Sequence, residues 1–375
     1  MPALSRKIVI ATNTAWNLVN FRAGLIRALV AAGYEVVAVA PLDKYADQLD
    51  ALGCRYVPLP MDNKGTHPGR DLMLLWRFFW LLRRERPAVF LGYTVKPNVY
   101  GSLAAHVLGI PVVNNIAGLG VVFIRDSWLT RVVRGLYRLA LSRSARVFFQ
   151  NANDMGLFIE RGLVRREVAS RVPGSGVDLG RFGVTPLPAA GGRVRFLLIA
   201  RMLWDKGVGE YVEAARMVKR QAPNADFCLL GFLDVQNPTA ISREQMSIWT
   251  EAGFVRYLGV SDDVRAEIAE ADCVVLPSFY REGVPRSLLE AAAMGRPLIT
   301  TDAVGCRDVV DDGVTGFLCQ PRSADDLKEK MNRMIALSTA ARAEMGRRGR
   351  AKVELEFDER IVVGRYMTVV KEILG

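Results

Sequence analysis

Short runs of β-branched residues alternate with longer amphipathic stretches along the chain. KIVIAT precedes FRAGLIRALVAAG, EVVAVA precedes YADQLDALG, and AVFLGY precedes NVYGSLAAHVLG, with PVVNNI next. Brief, unbroken apolar runs predict strands, and the i, i+3, i+4 spacing between them predicts helices. The rhythm is that of βαβ units and a parallel sheet. It restarts near residue 193 with RVRFLLIA, a helix predicted from Gly207, FCLLG, a helix from Asp262, CVVLP, a helix from about Arg286 to Met294, and PLITT. Residues 173–192, PGSGVDLGRFGVTPLPAAGG, are rich in Gly and Pro and read as a linker between the two series. The expected fold class is α/β, with two doubly wound, Rossmann-like domains facing a central cleft. In such sheets ligands lie beyond the carboxyl ends of the strands, so the chemistry belongs in strand-to-helix loops.

The length of 375 residues agrees with two domains, and the half-hydrophobic, quarter-charged composition with a globular chain. The apolar run Leu72 to Leu82 is broken by Arg77 and falls short of the ~20 residues of a membrane-spanning helix. MPALSRKIVIATN lacks the apolar core and cleavage site of a secretory signal, so a cytoplasmic location is expected. Five scattered cysteines without a CxxC and two histidines, His67 and His106, support neither a disulfide frame nor a zinc site. The net charge of +11 resides entirely in residues 1–178, while residues 179–375 are balanced. The first half therefore expects an anionic counterpart: a membrane surface, a phosphorylated acceptor or nucleic acid. Nucleic acid is disfavoured, because no zinc finger, RNA-recognition signature or aromatic-basic interleaving is present.

Candidate chemistry concentrates in the second half. RMLWDKG places Arg201 at a strand end and Lys206 five residues on, a seat for a diphosphate beside helix N–H groups, or else a pair of solvated surface charges. REGVPRSLLEAAAMGRP sets Glu282 in a loop and Glu290 one turn into a helix, with Pro285 suited to the first turn. The N–H groups of Gly283, Val284, Arg286 and Ser287 would face an anion there. Each carboxylate can grip a vicinal diol, and a diphosphate between two polyol ends is a nucleotide-sugar. A glycoside hydrolase using the two glutamates as acid and base is the competing reading, and a raised-pKa acid would sit poorly beside Arg201 and Lys206.

RMLWDKGVGEYVEAA, the segment from DCVVLPSFYREGVPRSLLEAAAMGRP to DDGVTGFL, and GVDLGRF resemble the retaining glycosyltransferases of family 4, which have the GT-B fold. NFRAGLIRALVAAGYEVVAVAP, YTVKPNVYGSLAA and NNIAGLGVVF are similar to the branch that extends sugars on undecaprenyl diphosphate. The resemblance implies an acceptor-binding, membrane-facing domain over 1–178, a nucleotide-sugar domain over 179–355, and a last helix over 356–375 crossing back to the first. It implies that Arg201 and Lys206 stabilise the leaving diphosphate, that Glu282 contacts the donor sugar and Glu290 the ribose, and that neither metal nor cofactor is needed. The implied partners are a UDP-linked sugar, expected to be an N-acetylhexosamine, and a polyprenyl-diphosphate-linked acceptor at the inner face of the membrane. Two departures stand out: Ala117 replaces a histidine found in many relatives, and the first loop, TNTAWNLVNFR, lacks their glycine pair. A side-chain base at 117 is thereby excluded, which suits a same-face substitution in which a phosphate oxygen takes the acceptor's proton.

On the acceptor side, Lys96 in YTVKPN, Asn17 in the first loop, and Gly118 and Gly120 in the GLG loop are candidates for phosphate or acceptor contact. An exposed lysine is the plain alternative for Lys96. Arg131, Arg134 and Arg138 share one helix face in SWLTRVVRGLYRLALSR, a candidate surface for anionic headgroups or merely a solvated face. The aromatic stretch DLMLLWRFFWLLRRER, residues 71–86, is either a second membrane element or a helix packed on the sheet. A soluble acceptor, a sugar-nucleotide epimerase and an inactive membrane scaffold remain further alternatives.

Overall fold

The computed structural model describes residues 6–62, 67–118, 128–188, 193–233 and 235–375. It divides into two compact units, Met1–Gly176 with Glu359–Gly375, and Val177–Asp358. The first unit carries strands β1 (Lys7–Ala11), β2 (Glu35–Ala40), β3 (Arg55–Pro58), β4 (Val89–Tyr93), β5 (Val112–Ile116), β6 (Arg146–Phe149) and β7 (Ala169–Arg171). They pair in parallel in the order β3-β2-β1-β4-β5-β6-β7. The second unit carries β8 (Arg195–Ile199), β9 (Asp226–Leu230), β10 (Arg256–Tyr257), β11 (Cys273–Leu276), β12 (Leu298–Thr301) and β13 (Gly316–Cys319), parallel in the order β10-β9-β8-β11-β12-β13. Helices cover both faces, so the central strands are buried apart from Glu35 at the start of β2, and beyond their first residues read as apolar runs.

Each sheet has one point where the strand order reverses: between β1 and β4 in the first, and between β8 and β11 in the second. Chain leaving adjacent strands there departs in opposite directions and leaves a crevice at their carboxyl ends.

Side-chain caps fix several helix starts. Thr14, Asn151, Ser242, Ser323 and Ser338 each accept a hydrogen bond from an amide of the first turn. Elsewhere the local structure departs from the sequence expectation. YADQLDALG forms two 3-10 turns, Ala46–Gln48 and Asp50–Leu52, because left-handed Gly53 ends the segment before an α-helix can propagate. The helix expected from Gly207 is Val208–Lys219, preceded by a 3-10 turn Trp204–Lys206, and that expected from Asp262 is the short Arg265–Ala269. Pro285 has extended backbone and caps the helix Arg286–Ala293 from outside its first turn.

Two asparagines lie in the middle of β5, an unusual place for polar side chains. Asn114 donates to Asn98 Oδ1 (2.9 Å) and Ser102 Oγ (2.8 Å) and accepts from Ser144 Oγ (2.6 Å). Asn115 accepts from Gln150 (3.3 Å) and donates to Tyr366 Oη (3.0 Å). Burial without these partners would be destabilising, so the network fixes where the helix Glu359–Leu374 docks. That helix buries Val362, Tyr366, Val369 and Val370 in the first unit's core, and Tyr366 packs against Phe148 with ring centroids 4.7 Å apart. Gly176 permits the approach: a Cβ there would lie 2.4 Å from Glu359 Cα. Among the described residues no helix is long and apolar enough to cross a membrane.

Deleting residues 359–375 should therefore expose that apolar face and leave Asn115 Nδ2 unpaired. Burial of side chains of this kind stabilises by ~1.5–3 kcal/mol each, so the truncated chain should melt well below the full chain or fail to fold in a thermal scan. An unchanged melting temperature would contradict this account of the helix.

Candidate active site

The loops leaving β8 and β11 meet at the second unit's reversal point. After β8 the chain makes the turn Trp204–Lys206, held from below by Thr239, whose carbonyl accepts from Trp204 N (2.8 Å) and whose Oγ1 donates to Asp205 Oδ2 (3.0 Å). The Asp205 carbonyl in turn accepts from Phe279 N (3.1 Å) and Tyr280 N (3.0 Å), stitching this turn to the loop after β11. Gly207, at φ +73°, completes the contact: a Cβ would fall 2.1 Å from the Pro277 carbonyl oxygen, so only glycine allows the two backbones to come this close. A third loop closes from the other side. A Cβ on Gly305, at φ +84°, would fall 2.0 Å from the Gly283 carbonyl oxygen, and Thr301 Oγ1 donates to the Ser278 carbonyl.

The consequence is that Lys206 Nζ forms an ion pair with Glu282 Oε1, with both side chains about one-eighth exposed (12 % each). Ser278 Oγ donates to the same carboxylate oxygen (2.9 Å), and Lys206 Nζ stands 5.2 Å from the Tyr280 ring centroid. Burial, reinforced by the Glu282 charge, raises the Tyr280 phenol above its ordinary pKa. One turn into the following helix, Glu290 Oε1 accepts from Arg286 Nε (2.9 Å). Burial holds the Glu290 carboxyl above the usual carboxylate range, opposed by the Arg286 charge and hydrogen bond. Gly283 and Pro285 are buried, Val284 and Ser287 half-buried, and Arg201 exposed at the end of β8. The structure thus brings Lys206, Glu282 and the helix start into one cluster.

Ser278 and Asp205 belong to this cluster and carry no spacing signal in the sequence. Their roles depend on contacts across more than seventy residues, between Asp205 and the backbone at 279–280. Proximity of Ser278 to Glu282 in one loop is the only local hint.

The first unit's candidates are dispersed. Lys96 Nζ bonds Asp71 Oδ1 (2.8 Å), with both side chains largely buried. Asn17 lies in the helix Ala15–Phe21, where its amide N donates to Thr14 Oγ1 (3.1 Å). Ala117 is exposed after β5, and Gly118 follows at φ +113°. Gly120 lies outside the described residues. In the helix Trp128–Leu141, Arg131 is exposed, Arg134 is half-buried, and Arg138 Nε donates to the Gly162 carbonyl (3.0 Å).

Residues 186–352 match the family model of glycosyl transferases group 1, and residues 20–175 match that of the glycosyl transferase 4-like domain. The chain is 28 % identical over 377 aligned positions, 96 % of either chain, to the N,N'-diacetylbacillosaminyl-diphospho-undecaprenol alpha-1,3-N-acetylgalactosaminyltransferase of Campylobacter jejuni. It is 24 % identical, over 76 % of this chain and 75 % of the relative, to the UDP-Gal:alpha-D-GlcNAc-diphosphoundecaprenol alpha-1,3-galactosyltransferase of Escherichia coli. Among solved structures, Anabaena Alr3699/HepE in complex with UDP-glucose superposes with a TM-score of 0.78 at 18 % identity, covering 98 % of this chain and 99 % of that one.

The raised Glu290 pKa sets a pH dependence. With the folded value above the unfolded one, the native state binds more protons between them, so stability falls as pH rises through that window. Glu290→Gln should flatten this slope and melt higher than the wild type at neutral pH, with the difference vanishing in acid. Parallel melting curves of the two proteins from pH 4 to 8 (about the carboxylate range) would contradict it.

Proposed function

This chain belongs to the family 4 glycosyltransferases of GT-B fold, and on that premise we propose that it moves a sugar, with retention, from a UDP-sugar to an acceptor linked to undecaprenyl diphosphate. The observation that carries the reading is the joining of Lys206 and Glu282 at the β8/β11 reversal point beside the start of the helix Arg286–Ala293. A donor entering this crevice meets Lys206 and Arg201 at its diphosphate, N–H groups of the helix start beside it, Glu282 at the sugar and Glu290 at the ribose. Gly283, Val284, Pro285, Arg286 and Ser287 shape the wall between the two ends. Cations and amides neutralise the charge that develops on the leaving UDP, so the reaction needs no metal to do so. The departing phosphate oxygen takes the acceptor hydroxyl's proton as that hydroxyl attacks the anomeric carbon from the same face.

The names of the relatives support the finer assignment. The Campylobacter jejuni protein is named as transferring N-acetylgalactosamine to an undecaprenyl-diphosphate-linked sugar, and the Escherichia coli one as using UDP-Gal with a diphosphoundecaprenol acceptor. An N-acetylhexosamine donor is accordingly our reading. Hydrolysis is the weaker reading, because Glu282 is already engaged by Lys206 and Ser278.

The first unit's surface supports a reading of peripheral attachment to an anionic membrane. The helix Pro68–Glu85 turns Leu74, Phe78, Leu81 and Leu82 inward while Leu72, Met73, Trp76 and Trp80 are exposed. With Val107 and Leu139, the exposed Leu72, Met73 and Trp76 line an apolar groove of about 1020 Å³. Arg77, Arg83, Arg84 and Arg86 line the adjoining hollow that shares Trp76. Apolar side chains rimmed by arginines suit acyl chains below and anionic headgroups above, with Arg131, Arg134 and Arg138 as a further basic face.

Glu282→Gln should lower transfer from UDP-N-acetylgalactosamine to a short polyprenyl-diphosphate-linked sugar by ~10²-fold or more, while leaving vesicle binding intact. Free sugar release without acceptor glycosylation by the wild type would refute the transferase reading. Separately, Trp76→Glu together with Trp80→Glu should reduce co-sedimentation with phosphatidylglycerol vesicles by ~10-fold or more, since each change removes apolar burial and adds a repelled charge. Undiminished sedimentation would place the membrane contact elsewhere.

A further inference from the structure

The first unit has a reversal point of its own, between β1 and β4, and an arginine sits there. Arg22 joins the helices Ala15–Phe21 and Ala23–Ala31 that follow β1, and its guanidinium carbon lies 4.1 Å from the ring centroid of Tyr93, the last residue of β4. The residue is 5 % exposed. Among the described residues its side chain has no hydrogen bond and no ion pair, and its Nε is fully buried without a partner. The Asn17 Oδ1 of the same segment is also buried without a partner.

Other sealed arginines also keep buried nitrogens without a partner, Arg296 Nε and Nη1 and Arg342 Nε, but each is committed through another donor. Arg296 Nη2 donates to the Thr185 carbonyl (3.0 Å) and the Pro186 carbonyl (2.8 Å). Arg342 Nη1 donates to the Leu337 carbonyl (2.7 Å), with Asp272 beside it. Those side chains hold backbone in place. Arg22 holds nothing, and a buried cation without a counter-charge is strongly unfavourable. Stacking on a tyrosine face offsets only part of that cost.

The first loop explains why a side chain should be needed. It has no glycine pair, and the amides at its helix start are already used: Trp16 N donates to Asp43 Oδ2 (3.1 Å) and Asn17 N to Thr14 Oγ1. Those two backbone N–H groups are therefore not available to an oxyanion, and a side chain is the stronger source of positive charge at this place. We infer that Arg22 is the anion-binding residue of the first unit, gripping a diphosphate oxygen at the β1/β4 reversal point. The planar guanidinium, fixed against Tyr93, presents parallel N–H donors suited to a phosphate. The choice of a diphosphate rests on the reaction proposed above. Either the lipid-linked acceptor or the nucleotide donor carries one, and the test separates them.

Isothermal titration of the full-length protein with farnesyl diphosphate and, separately, with UDP reads the site. Arg22→Met should cut the affinity for one of these probes by ~30-fold or more, the usual effect of removing one partner of a buried charge pair. Loss confined to farnesyl diphosphate assigns Arg22 to the acceptor, and loss confined to UDP assigns it to the donor. The same variant should melt no lower than the wild type, since an unpaired buried charge has been replaced by an apolar chain. Unchanged affinity for both probes overturns the inference, as does a lowered melting temperature with both affinities retained. Arg22→Lys keeps the charge without the fork and should weaken the same probe at least ~5-fold. If Arg22→Met does not fold, Lys-variant affinities equal to the wild type overturn the inference. Arg22-dependent binding of farnesyl diphosphate in a protein that transfers no sugar would remove the proposed reaction and leave this site standing.

Discussion

The close approach of Gly207 to the Pro277 carbonyl is the constraint on which the second unit's candidate site rests. It sets the depth at which the turn Trp204–Lys206 lies against the loop after β11, and thus whether Lys206 meets Glu282 at all. Two charges partly withdrawn from water are tolerable because each neutralises the other, and the hydrogen bond from Ser278 steadies the carboxylate. The lysine and glutamate are held in place by each other, so if the proposed donor binds there little ordering entropy remains to be lost. On the proposed function, a diphosphate entering the crevice would compete with Glu282 for Lys206 and offer more negative charge in exchange.

The same geometric reasoning applies to both sheets despite the absence of a sequence repeat. Wherever strand order reverses, two loops diverge and the backbone between them cannot fill the gap. In the second unit that gap receives Lys206 and Glu282, and in the first it receives Arg22 and Tyr93. One site holds a cation balanced by a carboxylate, the other a cation balanced only by a ring face.

Much of the architecture was legible because parallel sheets write themselves plainly. Strands buried on both faces appear as unbroken apolar runs, and KIVIA, EVVAVA, VFLGY and CVVL each became a central strand. Boundaries were less legible where a single glycine or proline decides them, as at Gly53, Gly207 and Pro285. Periodicity also left the stretch 71–86 undecided between core and membrane, for a physical reason: its helix is apolar on two faces, Phe78 pointing into the core and Trp76 away from it. The candidates Glu282, Glu290 and Lys206 could be singled out from their spacing along the chain. Arg22 could not, since its environment is made by Tyr93, seventy-one positions distant in sequence, and nothing near NFR announces a buried cation.

Lys96 shows why a cation at a strand end is weak evidence of a ligand site until its surroundings are known. It leaves β4 at a place that resembles the position of Lys206 after β8, and both lysines are paired with a carboxylate. The partners differ in what they stand on. Asp71 belongs to the first turn of the helix Pro68–Glu85 and is 7 % exposed, so withdrawing Lys96 would strand a carboxylate in a rigid, largely dry setting. Glu282 stands in a loop beside a crevice, where a ligand's own polar groups can take over what Lys206 gives up. The Lys96–Asp71 pair therefore serves to lock the helix to the loop after β4, which in turn fixes the end of that strand and the ring of Tyr93 on which Arg22 is stacked.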